Sequence, residues 1–342
     1  MKELKNCGRN GMKKVKIAQI GTSKNSHGNN IWDTITRRTD IFEVAGYAFA
    51  EGEREKFPDQ AKRFEGYKEM TVEEILADEE IEAVAVETEE IYLTKYALLC
   101  ARAGKHIHME KPGGIDLSEF EELIRELKSR GLAFSVGYMY RFNPKIREAL
   151  QKVKSGALGR IYSVEANMNC SHRGEFKEWL GNFPGGMMFF LGCHLVDIIY
   201  SIQGDPSCVI PLSTYTGIGG IDTCDFGMAV FEYPGGVSFA KACCSEKGGF
   251  MRRGIVIAGE HGTIEIKPLE VVLDEGMYTV CSECFENSWH TPWRQSRSEL
   301  FDRYDAMMQN FANLVRGMEN PYSYDYELNL YKLILRACGK EV

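Results

Sequence analysis

The chain has 342 residues, 44% of them hydrophobic, with a net charge of −8 and an isoelectric point near 5.6. That length buries a large core and divides naturally into two domains. The acidic balance, with no Lys/Arg-rich stripe, argues against nucleic acid as a ligand. No apolar run approaches the roughly 18 residues of a membrane span, so no membrane association is expected.

The first residues, Met1 to Cys7, lack an apolar signal core, which gives a cytoplasmic expectation. Gly11 to Lys14 directly precede the first strand, so Met1 to Gly11 read either as a loose extension or as lying before a start at Met12. From Val15 to about Gly137, strand-like runs alternate with helical patterns, the mark of βαβ units and a parallel sheet. Strands are predicted at Val15 to Ile20, Val44 to Phe49, Ala83 to Glu87, His106 to Met109 and Ala133 to Val136. Thr71 to Glu74 and Asp116 to Glu119 read as capping boxes opening helices. Beyond Tyr138 the texture changes. A helix opens at Arg141 to Pro144, and strands are predicted at Ile161 to Cys170, Asp225 to Tyr233, Val237 to Cys244, Gly254 to Ala258, Thr263 to Lys267 and Tyr278 to Phe285. Phe301 to Met318 and Tyr326 to Cys338 complete the chain as helices. The expected fold is α/β: an N-terminal Rossmann-type parallel-sheet domain over residues 12–138, then an α+β domain over 139–342 with an open, mainly antiparallel sheet. The last helices have room to pack back on the first domain.

Eleven cysteines are scattered without a regular framework and are expected to be reduced. Cys281 and Cys284 have a spacing that grips zinc, but a structural site needs four ligands and no second pair is present, so no metal is expected.

Two segments carry chemistry. In Gly104 to Gly114, a short buried strand ends in Glu110-Lys111-Pro112, handing these side chains to the carboxyl edge of a sheet, where open α/β folds bind ligands. In Gly185 to Asp197, a glycine-rich stretch leads into a helix whose Leu195, Ile198, Ile199 and Ile202 share a buried face, and His194 sits at its start. In residues, order and separation these segments resemble those of the Gfo/Idh/MocA oxidoreductases, the family of glucose-fructose oxidoreductase and inositol dehydrogenase. The resemblance implies Lys111 beside the reacting hydroxyl and His194 as the proton-transfer group. It further implies an NAD or NADP cofactor, a carbohydrate or polyol substrate, and a homodimer or homotetramer built through the C-terminal sheet.

The chain departs from the family pattern in places. A Gly-x-Gly-x-x-Gly turn after the first strand would need glycine at 21, 23 and 26, and only Gly21 is kept. Thr22, Ser23, Asn25, Ser26 and His27 are then expected to hold the diphosphate with the helix N-terminus behind them. The ribose-binding acid at the end of the second strand is replaced by Phe49, leaving Glu51 or Glu53 as acceptor and tilting the expectation toward NAD. Thr88-Glu89-Glu90 stands where the family shows Thr-Pro-Asn. Thr88 and Glu110 are placed beside the cofactor. Phe190 replaces the family aspartate four residues before the histidine, so Asp197 is expected to orient the imidazole instead. Tyr138, Arg141, Asn143 and Trp179 are expected to line the substrate pocket, with Arg141 meeting any carboxylate or phosphate. Met187 to Phe190 suggest a pocket suited to an apolar aglycone.

The reading is therefore an NAD(P)-dependent dehydrogenase interconverting a secondary hydroxyl and a ketone on a sugar, inositol or glycoside. Two rivals accompany it: redox-assisted glycoside cleavage with the cofactor regenerated in the same turnover, and a non-catalytic sensor on the same fold.

Overall fold

The computed structural model describes residues 13–286, 290 and 292–342, so the expectation for Met1 to Gly11 lies outside the described residues. Five strands form the first sheet: β1 (Val15–Ile20), β2 (Phe42–Ala48), β3 (Ala83–Val86), β4 (His106–Met109) and β5 (Phe134–Val136). Their order is β2-β1-β3-β4-β5, and every neighbouring pair is parallel. The connections carry α1 (Gly28–Arg37), the short α2 (Glu53–Lys56), α3 (Pro58–Ala61) and α4 (Val72–Ala77), then α5 (Leu93–Arg102) and α6 (Leu117–Arg130). All four residues of β3 are buried because helices cover both faces, which is why Ala-Val-Ala-Val shows no polar alternation. Thr71 and Glu74 form the full capping box of α4, whereas Asp116 caps α6 through its own oxygen, accepting from Ser118 and Glu119. Sheet order reverses direction between β1 and β3, so the ligand crevice of such a sheet lies outside their carboxyl ends, at Gly21 and Glu87.

The second layer system begins with α7 (Pro144–Lys154), followed by β6 (Ile161–Asn169), α8 (Gly174–Leu180), a π-helical turn (Met188–Gly192) and α9 (Cys193–Gln203). Then come β7 (Cys208–Pro211), β8 (Phe226–Tyr233), β9 (Gly236–Cys243), β10 (Gly254–Gly259), β11 (Gly262–Ile266), β12 (Val271–Leu273), β13 (Gly276–Tyr278), β14 (Val280–Cys284) and β15 (Arg294–Arg297). The eight-stranded sheet has the order β15-β14-β11-β10-β6-β9-β8-β7, and its pairs are antiparallel except β6 with β9. The strand predicted at Tyr278 to Phe285 is two pieces: β13 pairs with β12 in a separate hairpin, and β14 joins the large sheet. Val164, Ala166 and Met168 of β6, with Ala240 and Ala242 of β9, face the cover of α9 and are fully buried.

Two final helices, α10 (Asp305–Val315) and α11 (Tyr324–Ala337), return to the first sheet. Tyr331 stacks on Phe120 at 4.3 Å between ring centres, and Arg37 reaches both carboxylate oxygens of Asp305. Among the described residues no helix is long and apolar enough to cross a membrane.

Candidate active site

Lys111 is the second residue after β4 and is almost wholly buried (1% exposed). Its Nζ donates to the Phe190 carbonyl at 3.0 Å, lies 3.5 Å from Glu110 Oε1, and stands 4.0 Å from the centre of the Phe190 ring. The π-helical turn before α9 explains the availability of that carbonyl, because a widened turn displaces main-chain oxygens from their helical partners. The turn depends on glycine ahead of it: Gly186 has φ +51°, and a Cβ there would sit 2.3 Å from the Cys224 carbonyl oxygen. Phe190 thus offers Lys111 a carbonyl and a ring face where the family places an aspartate carboxylate.

Four residues on, His194 is 1% exposed and packed edge-on to Tyr138 (5.9 Å) and Tyr140 (5.1 Å). Among the described residues neither ring nitrogen has a hydrogen-bonding partner. Burial, with the positive charge of Lys111 behind it, pushes the imidazole well below its usual pKa. A neutral ring results.

Several expected substrate contacts are scaffold instead. Asp197 does not orient His194: its carboxylate accepts from Arg141 Nε (3.0 Å to each oxygen) and Nη2 (2.8 Å). Arg141 is likewise unavailable to a substrate, because its other edge meets Glu327 of α11 at 2.6 and 3.1 Å and its face lies 3.8 Å from the Tyr322 ring centre. The same guanidinium lies 4.5 Å from the Tyr138 ring centre. Asn143 caps α7, accepting from Lys145 and Ile146, and donates to Thr279 Oγ1 at 2.7 Å. Trp179 packs in a ring cluster with Phe176, Phe183 and Phe190, behind the cavity wall. Met187, Met188 and Phe189 are core, so only Phe190 and Leu191 of that stretch reach the cavity.

On the cofactor side, Gly21 has φ +89°, and its missing Cβ leaves room for Thr88, whose Cα would otherwise lie 2.6 Å away. Thr22 donates its hydroxyl to Asn29, Ser23 Oγ accepts from Asn25, and Ser26 Oγ accepts from Gly28. His27 precedes α1 and pairs through Nδ1 with the Tyr304 hydroxyl at 2.7 Å, so α1 carries no side-chain cap. The N–H groups at the start of α1, of which that of Gly28 donates to Ser26 Oγ, are suited to a diphosphate even without the second and third glycines. Glu51 has φ +50°, and its carboxylate is held by Lys95 and by the Tyr96 hydroxyl at 2.9 Å.

The sequence offered Glu53 only as an alternative acceptor, placed Glu110 beside the cofactor, noted Glu90 only as a departure from the family motif, and gave Glu87 no site role. Glu53 is fully buried and accepts from the N–H groups of Thr22 (3.2 Å), Ala50 (2.9 Å) and Glu89 (3.3 Å), tying together the loops after β1, β2 and β3. Burial pushes it up to about 8. Glu87, Glu90 and Glu110 are buried at the carboxyl ends of β3 and β4, each with at least one oxygen lacking a partner among the described residues. Burial raises all three, Glu90 to about 7. Their one sequence signal was position, acidic residues closing buried strands at the switch point. His108, pushed down to about 3 by burial, lies 3.8 Å from Glu87.

Lys111, Phe190 and His27 open onto a cavity of about 590 Å³ between the two sheets, walled on the far side by Phe176, Arg253 and Arg303.

Comparison with known proteins places this geometry. Residues 15–138 match an oxidoreductase family with an NAD-binding Rossmann fold, and residues 146–265 match the Gfo/Idh/MocA C-terminal domain. The bovine trans-1,2-dihydrobenzene-1,2-diol dehydrogenase is 29% identical over 175 residues, 50% of this chain and 51% of that protein. The chain thus spans about half the length of that relative. An uncharacterised oxidoreductase of Rhizobium meliloti, ORF334, is 24% identical over 77% of this chain and 78% of its own length. Among solved structures, a putative NADPH-dependent oxidoreductase from Desulfitobacterium hafniense superposes with a TM-score of 0.78 at 21% identity, covering 96% of this chain and 95% of its own. The 3-ketoreductase KijD10 of Actinomadura kijaniata, in complex with NADP and TDP-benzene, gives 0.76 at 17% identity, covering 94% and 96%. With both domains matched in order, the chain belongs to the Gfo/Idh/MocA family of NAD(P)-binding oxidoreductases.

Proposed function

We propose that the protein is an NAD(P)-dependent dehydrogenase or reductase interconverting a secondary hydroxyl and a ketone on a sugar, inositol or glycoside. The observation that carries this reading is the Lys111 ammonium at the cavity wall, bound to the carbonyl of Phe190 one helical turn before His194, whose neutral ring has no hydrogen-bonding partner among the described residues. The diol dehydrogenase and ketoreductase among the relatives support the reaction class. A bound nicotinamide supplies the hydride acceptor or donor. Gly21, Thr22, Ser23, Asn25, Ser26 and the α1 N-terminus would hold its diphosphate, and Thr88 and Glu110 would flank it. Lys111 holds the substrate oxygen and stabilises the negative charge that develops as its proton leaves. His194, neutral by burial, takes that proton on a ring nitrogen and returns it in the reverse direction. Glu51 is committed to Lys95, which removes the repulsion that favoured NAD, so both dinucleotides fit the reading. The sheet face opposite α9, with Val237 and Ile210 exposed, is the proposed surface for a homodimer or homotetramer.

The test is fluorescence titration with NADH and with NADPH, followed by turnover of sugars, inositols and glycosides by the native protein and by Lys111→Met. Saturable binding of one dinucleotide, with turnover reduced about 100- to 1,000-fold in the variant and dinucleotide affinity retained, is expected. Light scattering on the same sample reads the assembly, and a monomeric mass would remove that part. A second reading, the ligand sensor, is favoured by Glu53, which already occupies the Thr22, Ala50 and Glu89 N–H groups at the crevice. Absence of binding by either dinucleotide would turn the conclusion to it.

A further inference from the structure

We propose that the substrate carries an anionic group, a carboxylate or a phosphate, and that Arg253 and Arg303 receive it. The inference rests on the oxidoreductase reading and narrows its substrate class. It gives to these two residues the part that the sequence suggested for Arg141.

The cavity wall carries Lys24, Lys111, Arg253 and Arg303, and no aspartate or glutamate among the described residues lines it. Lys24 has Glu175 and Lys111 has Glu110, but the two arginines share one carboxylate. That carboxylate is Glu270, which accepts from Arg303 Nε at 2.7 Å and from the Tyr140 hydroxyl at 2.9 Å, and lies 3.7 Å from Arg253 Nη1. Two guanidiniums on one buried carboxylate leave an excess positive charge facing the cavity. Guanidinium stays ionised at any working pH, so that excess persists.

Arg253 is also fixed in place. Its Nε donates to the Asn169 carbonyl at 3.1 Å, and its guanidinium stands 4.5 Å from the Phe250 ring centre. A guanidinium held this way needs little reordering to meet a planar carboxylate or a phosphate with paired hydrogen bonds. A neutral sugar would satisfy some donors and leave the charge uncompensated in a partly desolvated wall. Phe176 and Phe190 give the same cavity an apolar surface for the carbon skeleton. The field of both arginines reaches the reacting end, since both contribute, after burial and Lys111, to lowering His194. An anion bound between them would offset that contribution and raise the basicity of the imidazole when substrate is present.

The cofactor diphosphate is the competing source of negative charge, because Tyr304, next to Arg303, bonds His27 at the start of α1. Calorimetry on the full-length protein separates the sources, using D-glucose, D-gluconate and D-glucose 6-phosphate as probes, each at millimolar concentration, with NADH and NADPH titrated in parallel. One acidic probe is expected to bind at least about tenfold more tightly than glucose. The preference between gluconate and the phosphate ester names the anion. Arg303→Gln is expected to erase that advantage while changing dinucleotide affinity less than about twofold. Arg253→Lys, which keeps the charge but loses the fork, is expected to weaken it in part. Equal binding of neutral and acidic probes, or no binding of either acid while a dinucleotide still binds, overturns the proposal and leaves the oxidoreductase reading standing. Parallel loss of dinucleotide and acid binding in both variants assigns the arginines to the cofactor and overturns it as well. Failure of both dinucleotides to bind the native protein is a different result, counting against the reaction rather than against the anion.

Discussion

Two buried polar clusters lie close to His194, and they differ in how completely they are matched. In the first, Arg141 lies against the Tyr138 and Tyr322 rings and meets both oxygens of Asp197 and of Glu327. In the second, around Lys111, Glu87, Glu90 and His194 keep atoms without a hydrogen-bonding partner among the described residues, and Glu110 Oε1 has only its 3.5 Å ion pair with Lys111. Native proteins satisfy nearly all buried polar groups, so an unmatched concentration asks for an explanation that a matched one does not. The first cluster ties the turn after β5 to α9 and α11 and reads as scaffold. The second lies at the carboxyl edge of a parallel sheet, where ligands bind.

The comparison is broken most directly at Arg141. Arg141→Met removes the shared cation and leaves two buried carboxylates facing one another, which costs about 3–5 kcal/mol of stability. Denaturant unfolding should show this as a lower midpoint with an unchanged slope. A loss below about 1 kcal/mol would mean that the network is not the scaffold its geometry implies.

The unmatched cluster should respond the other way. His194→Asn removes a ring that makes no hydrogen bond among the described residues, so stability should fall by less than Arg141→Met costs, while turnover falls about 100-fold or more. The native pH profile offers a finer reading. A buried imidazole depressed by its surroundings stays neutral through the mildly acidic range, so turnover should show no acid limb near the ordinary histidine value and should decline only at lower pH. An inflection near pH 6.5 that disappears in His194→Asn would place the ring in water, contrary to the structure.

The contrast also explains what was legible beforehand. The strands of the first sheet were readable because buried parallel strands are continuous apolar runs, and β4 lies where His106 to Met109 predicted it. Lys111 and His194 were readable because a strand end and a helix start each leave a local pattern. Arg141 and Asn143 were given substrate roles, and Asp197 the orienting of His194, because sequence shows residue types but not their partners, and each partner is remote: Asp197 is 56 and Glu327 186 positions from Arg141, and Thr279 is 136 from Asn143. Arg253 and Arg303 left no signal for the same reason, since they meet only through Glu270. The π-helical turn was also hidden, because its cause is the fit of Gly186 against Cys224 rather than any residue preference.

Glu53 stands between the two clusters, and the smallest expected effect decides where it belongs. It is matched by three N–H donors, as a scaffold group is, yet it sits at the crevice beside Gly21 and is raised to about 8, with burial the largest cause. Between its ordinary value of 4.5 and about 8 the folded protein holds this proton and the unfolded chain does not. Its contribution to stability is therefore fully present below the unfolded value and is lost as pH rises through the folded one, with a slope of at most about 1.4 kcal/mol per pH unit. Glu87, Glu90, Glu110 and Glu327 are raised as well and add to the native slope in the same sense. Glu53→Gln keeps an acceptor for the N–H groups and removes the titration, so unfolding between about pH 5 and 8 should show a shallower decline than in the native protein. An unchanged slope would mean that the carboxylate is ionised in the fold, its charge carried by the Thr22, Ala50 and Glu89 N–H groups. Dinucleotide affinity in the same variant completes the assignment. If it holds steady, Glu53 is scaffold with Arg141; if it shifts, the loops that Glu53 ties together are the cofactor's own.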